Sequence, residues 1–212
     1  MFSDFKKLMS ARFLFTLAVQ MQAVVVGWRM YDLTHDALAL GFIGLAEAIP
    51  ALSLALYAGY VVDRSRPLKV YSWVLYGSLI SAAVLLWSHL FQNTISLSSQ
   101  VTALYVASII TGTARAFSQP AMFAIVPRII ERKDFHQASA WMSTAMQVAR
   151  IAGPALGGIL FGFVGETPTF ALICALLVLA VLAMMGIKVD VEAPAMKGEP
   201  RRMTRSEEHT SE

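Results

Sequence analysis

The chain has 212 residues, 57% of them hydrophobic and 15% charged, with a net charge of +3. A soluble domain carries about 25% charged residues over its solvated faces, whereas here long charge-free blocks alternate with short charged ones, which excludes an ordinary soluble globule and points to a membrane protein. The basic residues form no patch or stripe, so nucleic acid is excluded as a partner. One cysteine, Cys174, lies inside an apolar block; it excludes an intrachain disulfide and reads as a packing residue.

A bilayer core about 30 Å thick needs roughly 20 residues of apolar helix. The first such segment, 13–30, follows Lys6, Lys7 and Arg12. It is longer than a signal-peptide core and ends at no small-residue cleavage site, so it is expected to stay in place as a span. The second, 39–62, contains Glu47 and Pro50 and exits into Asp63, Arg64, Arg66 and Lys69. The third is 70–90, followed by Gln92 and Asn93. The fourth, 101–120, carries Arg115 and leads to Arg128, Arg132 and Lys133. The fifth, 138–164, carries Arg150 and a Gly-Pro stretch, and Glu166 separates it from the sixth, 170–187. Residues 1–187 therefore read as one six-helix transmembrane domain. Residues 188–204, with Pro194, Gly198 and Pro200, read as a polar cytoplasmic linker. The last eight, RSEEHTSE over 205–212, resemble the in-frame translation of a common sequencing-library adapter and are set aside as a non-native tail, the natural C-terminal part being expected to be missing.

Lipid offers backbone groups no partners, so these segments must be helices or barrel strands, and runs this long and uniformly apolar are helices. The expected fold class is an all-α membrane protein. Of the 17 Lys and Arg residues, all but Arg29, Arg115 and Arg150 fall in the two tails and the second-to-third and fourth-to-fifth connections. The other three connections carry none, so both termini are expected in the cytoplasm. An internal repeat supports the same count. Ala48, Pro50, Ala51, Leu52 and Leu56 align without gaps to Ala152, Pro154, Ala155, Leu156 and Leu160. The two stretches sit in the second and fifth spans, which cross in opposite directions, as a three-plus-three inverted repeat requires. Shared low complexity is the alternative.

Between the second and third spans stands Gly59-x-x-x-Asp63-Arg64 with Arg66 and Lys69. It resembles the loop signature of the major facilitator superfamily, although Pro67 and Leu68 stand where that signature has further basic residues. Gly59 permits close helix approach, Asp63 suits a neighbouring helix N-terminus, and Arg64 suits a bidentate carboxylate; the resemblance implies that Gly59, Asp63, Arg64 and Arg66 form a conformational latch. In the fifth span Arg150, Gly153, Pro154, Gly157 and Gly158 resemble the Gly-Pro signature of the antiporter branches, implying a packing seam against a second half of the transporter; close packing within this bundle is the alternative. Stretches 31–53 and 113–130 are similar to the enterobactin-exporter-like branch. The resemblance implies that this chain is the N-terminal half of a twelve-helix, proton-driven exporter in a bacterial inner membrane, with a lipid bilayer, a small amphipathic substrate and a missing six-helix half as its partners.

Charges inside spans are costly, so each is a candidate for function. Glu47, one residue from the carbonyl freed by Pro50, reads equally as a proton-coupling carboxylate and as a structural hydrogen-bonding acid near the outer mouth. Gln20 and Gln22 sit mid-way through the first span, about 200° apart on a helix, so only one can face substrate. Arg115 reads equally as a residue lining the cytoplasmic cavity and as a partner for an acid, while Arg29, near a helix end where it can snorkel, reads as structural. His35, His89 and His136 have no metal-ligand spacing, no nucleophile or phosphate-cradling motif is present, and neither an enzyme nor a cofactor is expected. Two rival functions stay open: a complete six-helix scaffold, and a half-transporter that homodimerises.

Overall fold

A computed structural model describes residues 2–130 and 135–187, which form seven helices and no strand. They are α1 (Phe2–Thr34), α2 (Ala37–Ser53), α3 (Ala55–Arg64), α4 (Pro67–Leu90), α5 (Leu97–Ile129), α6 (Phe135–Phe163) and α7 (Glu166–Met185). The linker and tail expected over 188–204 and 205–212 lie outside the described residues, as do Arg132 and Lys133.

The second expected span is broken in two. The Ser53 hydroxyl and the Leu54 amide both bond the carbonyl of Pro50, at 3.4 and 3.1 Å. Pro50 inside α2 also removes the hydrogen bond to the Ala46 carbonyl, the usual origin of a sharp kink, and α2 and α3 meet at 45°. The fourth span differs in the other sense. Pro120, taken as its end, lies inside α5, which runs on past Pro127 as well, because neighbouring groups in a bundle can satisfy the carbonyls a proline frees. At 1.5 Å per residue the 33 residues of α1 and of α5 reach about 50 Å, well beyond a bilayer core.

Local signals set the joints. Asp36 caps α2 by accepting from Leu38 N at 2.9 Å, and Ser96 caps α5 by accepting from Ser99 N at 3.2 Å. Pro67 opens α4 at a position where its missing N–H costs nothing. Gly165 turns the chain into α7 with φ of +99°, a conformation that a side chain would strain.

Helix α1 is the axis of the bundle. Leu8, Ala11, Ala18, Met21, Val25 and Met30 on it are fully buried, and it packs against α2, α4, α5, α6 and α7. Outside it, α2 and α3 lean on α5, and α4 fills the space between α5 and α7. The outer surface is apolar: Leu52, Leu56, Trp73, Phe123 and Ile151 are all exposed, as on a bundle solvated by lipid. Helices α1, α4, α6 and α7 are long and apolar enough to cross a membrane, and the bent α2–α3 pair makes a fifth crossing if it counts as one span. Helix α5 has the length, but its serines, threonines, Arg115 and Gln119 keep it less apolar.

Candidate functional site

Two polar clusters and several cavities occupy the described part of this bundle. The first cluster is central. Gln22 of α1 is buried, and its Nε2 donates to Ser81 Oγ of α4 at 3.0 Å and to Thr111 Oγ1 of α5 at 2.9 Å. Ser81 gives its own proton to the Ala107 carbonyl at 2.9 Å, so the Thr111 hydroxyl, 2.9 Å away, must be the donor to Ser81. Gln22 Oε1 has no protein partner. Beside it a small cavity, about 20 Å³ of space open to a water centre, is lined also by Thr111 and Glu47.

Glu47 of α2 reaches across to Arg115 of α5 in a close ion pair, with the carboxylate mostly covered and the guanidinium half exposed. Their helices touch at this level: a Cβ built on Gly112 would overlap the Glu47 carbonyl. The structure thus brings together Glu47, Arg115 and Gln22 of the residues singled out in the sequence. Gln20 is elsewhere, half-buried at the α1–α6 seam, where its Cβ would lie 2.6 Å from one built on Gly153. The two glutamines do face different ways.

The second cluster closes the end of the bundle where α4 meets α5. Arg29, read as a structural residue that can snorkel, does not reach outward but is buried at 8% exposure. It donates to Glu166 at 3.1 Å, to Gln92 Oε1 at 2.6 Å and to Gln100 Oε1 at 3.1 Å. His89 Nδ1 stands 2.9 Å from the same Glu166 carboxylate, and its Nε2 lies 2.9 Å from Thr167 Oγ1. Four helices are tied at one point, and the guanidinium is held inside by four acceptors, Asp32 at 3.5 Å being the fourth, which replace the water it gives up.

One cavity lies between α1, α5 and α6 and has a volume of about 480 Å³. Arg12, Gln119, Gln147 and Arg150 line it among Met122, Met142, Met146, Phe123 and Phe135. Arg12 donates to Gln119 Oε1 at 2.7 Å and Arg150 to Gln147 Oε1 at 3.3 Å. Charge counting placed Arg12 in the N-terminal tail, yet α1 begins ten residues earlier and carries it into this wall. A signal was present: Arg12, Thr16 and Gln20 recur every four residues, which makes one polar stripe on an apolar helix. That stripe faces α6, where Arg12 meets Met142 Sδ at 3.7 Å and Thr16 meets Met146 Sδ at 3.4 Å.

The glycines of α6 divide by face. A Cβ on Gly157 would come within 3.0 Å of the Met21 backbone, so Gly153 and Gly157 are used against α1 inside this bundle. Gly158, one position and about 100° further round, faces open space, and Arg150 is exposed. The loop motif is likewise turned outward. A Cβ on Gly59 would meet nothing, Asp63 is exposed, and Arg64 lies over the Tyr60 ring at 4.4 Å rather than on a carboxylate. Asp63 does not cap the neighbouring helix either, since the N-cap of α4 is Arg66, whose side chain does not close it.

The sequence pattern of the Major Facilitator Superfamily matches residues 8–208, nearly the whole chain. The chain belongs to the Major Facilitator Superfamily. Among its relatives is Multidrug resistance protein 2 of Bacillus subtilis (strain 168), 30% identical over 149 residues, or 70% of this chain and 35% of that protein. The Staphyloferrin A transporter of Staphylococcus aureus (strain NCTC 8325 / PS 47) is 24% identical over 169 residues, 78% of this chain and 41% of its own length. Multidrug resistance protein 1 of Bacillus subtilis (strain 168) is 25% identical over 166 residues. The chain spans about two fifths of the length of these relatives. As a major facilitator protein it is a multi-pass membrane protein of a transporter family, and its apolar helix surface fits that setting.

Proposed function

We propose that this chain is the N-terminal half of a proton-driven exporter of small amphipathic molecules, of drug or siderophore type, with both termini in the cytoplasm. Relatives named for multidrug resistance and for staphyloferrin A transport support the cargo class, and the two-fifths coverage supports a half. Helices α1, α2–α3 and α4 are the first triplet of spans, and α5, α6 and α7 the inverted second. The packing supports this, because α2 leans on α5 as α6 leans on α1, and α4 on α5 as α7 on α1. Exchanging the triplets leaves that pattern unchanged.

The observation that carries the mechanism is the Glu47–Arg115 pair joining α2 to α5 beside the buried polar centre at Gln22. A proton arriving on Glu47 neutralises the carboxylate and releases Arg115, which loosens α2 from α5; departure of the proton restores the tie. The outward-turned Gly59, Asp63, Arg64 and Arg66, with Gly158 and Pro154 on α6, are the surfaces offered to the second half, while Gly153 and Gly157 hold the first half together.

Two tests apply. Sequencing the locus across the codons for Thr204 and Arg205 is expected to show a frame running into six more spans; a stop codon there overturns the half reading in favour of a scaffold or homodimer. In the whole protein, Glu47→Gln is expected to abolish proton-driven efflux while substrate counterflow continues. Efflux at the unsubstituted rate removes Glu47 from the coupling.

A further inference from the structure

The α1–α5–α6 cavity has an unusual chemical balance. Its volume of about 480 Å³ suits a drug-sized molecule. Arginine has donors only, so the bonds from Arg12 and Arg150 fix the amides of Gln119 and Gln147 with their oxygens turned to the guanidinium groups. Each amide oxygen is thus already engaged by a guanidinium and keeps only its second lone pair, so what these four side chains chiefly present is N–H donors and two positive charges. Arg12 and Arg150 stand within electrostatic reach of each other, and no carboxylate is among the described lining residues. Ser139 and Ser143 can take either role. The remaining wall is methionine and phenylalanine, soft and adaptable against an aromatic or aliphatic body.

From this we infer that the α1–α5–α6 cavity is a subsite for an organic anion: an apolar body carrying a carboxylate or similar acceptor group, seated between Arg12 and Arg150. A cation of the same shape meets two like charges and only neutral acceptors, the Ser139 and Ser143 hydroxyls and the second lone pairs of the two amide oxygens. The biological meaning, an anionic export cargo, rests on the exporter reading above; the binding preference stands on the cavity alone.

The test uses the full 212-residue chain in phosphatidylcholine nanodiscs, titrated with two dyes on the same xanthene body. Fluorescein is the anion and rhodamine 123 the cation, and empty nanodiscs correct for partition. Fluorescein is expected to bind at least about tenfold more tightly. Arg150→Glu is expected to weaken fluorescein by about ten- to a hundredfold, the scale of a lost charge-assisted hydrogen bond, and to strengthen rhodamine 123. Arg150→Lys is expected to keep most of the preference for the anion. The gain in rhodamine binding is an outcome that a misfolded variant cannot give. Tighter rhodamine than fluorescein on the unsubstituted chain, fluorescein binding indifferent to Arg150→Glu, or no binding of either dye above empty nanodiscs overturns the inference. Proton-driven cation efflux without anion binding would defeat this inference alone; anion binding by a whole protein that moves nothing would defeat the exporter reading alone.

Discussion

Glu47 touches α5 twice: its carbonyl lies over Gly112, where no side chain fits, and its carboxylate pairs with Arg115 less than one turn further along. Backbone contact and ion pair therefore sit on one hinge between α2 and α5. The first is fixed by packing and the second responds to charge, so the joint has a permanent part and a switchable part. Seven residues beyond Glu47, at Leu54, the helix bends, so a change at the pair acts on the short arm that leads into the bent segment α3.

The permanent part is tested by Gly112→Ala. The added methyl has backbone in its way, which cannot rotate aside, so the helices must separate. Overpacking of this kind costs about 1–3 kcal/mol, and thermal unfolding in detergent is expected to show it as a lowered midpoint. Gly162→Ala, where a Cβ meets nothing, is the control expected to leave the midpoint unchanged or slightly raised, since alanine favours the helix. Equal midpoints for the two variants would mean that α2 and α5 are not in close contact.

The switchable part calls for a double-mutant cycle on Glu47→Gln and Arg115→Gln. Arg115 is 48% exposed, so solvent or lipid headgroups screen the pair. A coupling energy of about 1 kcal/mol is expected rather than that of a buried bridge. Strictly additive unfolding energies would show that the two groups do not interact.

How much of this was legible beforehand depends on range. Helices declared themselves by apolar length, and the capping residues Asp36 and Ser96 stand where caps belong. The break at Leu54 did not, although Pro50 stands one turn before it, because a proline can accompany a break in one span and leave another continuous, as Pro120 and Pro127 do in α5. Pro120 was misread as an end because a proline's lost hydrogen bond is decisive in water but tolerable inside a bundle. At the site, Glu47 and Arg115 were each conspicuous as charges in apolar helix, but only Arg115 was given an acid partner as one of its readings. Which partner could not be read across 68 residues of chain. Arg12 was lost to a rule that counts basic residues by topology and does not ask how far a helix extends past the membrane core.

Transport by the chain alone is the next expectation. If the substrate path lies between two halves, a purified 212-residue chain in liposomes has only one wall of it. No proton-driven dye efflux above protein-free liposomes is expected. Measurable efflux that collapses with the proton gradient would point to a homodimer that builds the second wall from another copy.

Arg29 gives the clearest stability test. Replacing it with Gln leaves Glu166, Gln92 and Gln100 facing one another without the cation that joined them. Removing one partner of a buried pair costs about 3–5 kcal/mol; Glu166 is 23% exposed, so the lower end is expected here. Arg29→Lys restores the charge but not the geometry. One ammonium cannot reach three acceptors that a planar guanidinium spans with separate N–H groups, so a partial recovery of the unfolding midpoint is expected. Full recovery by lysine would mean that charge alone holds this end of the bundle, and that the contacts to the two glutamines contribute nothing to its stability.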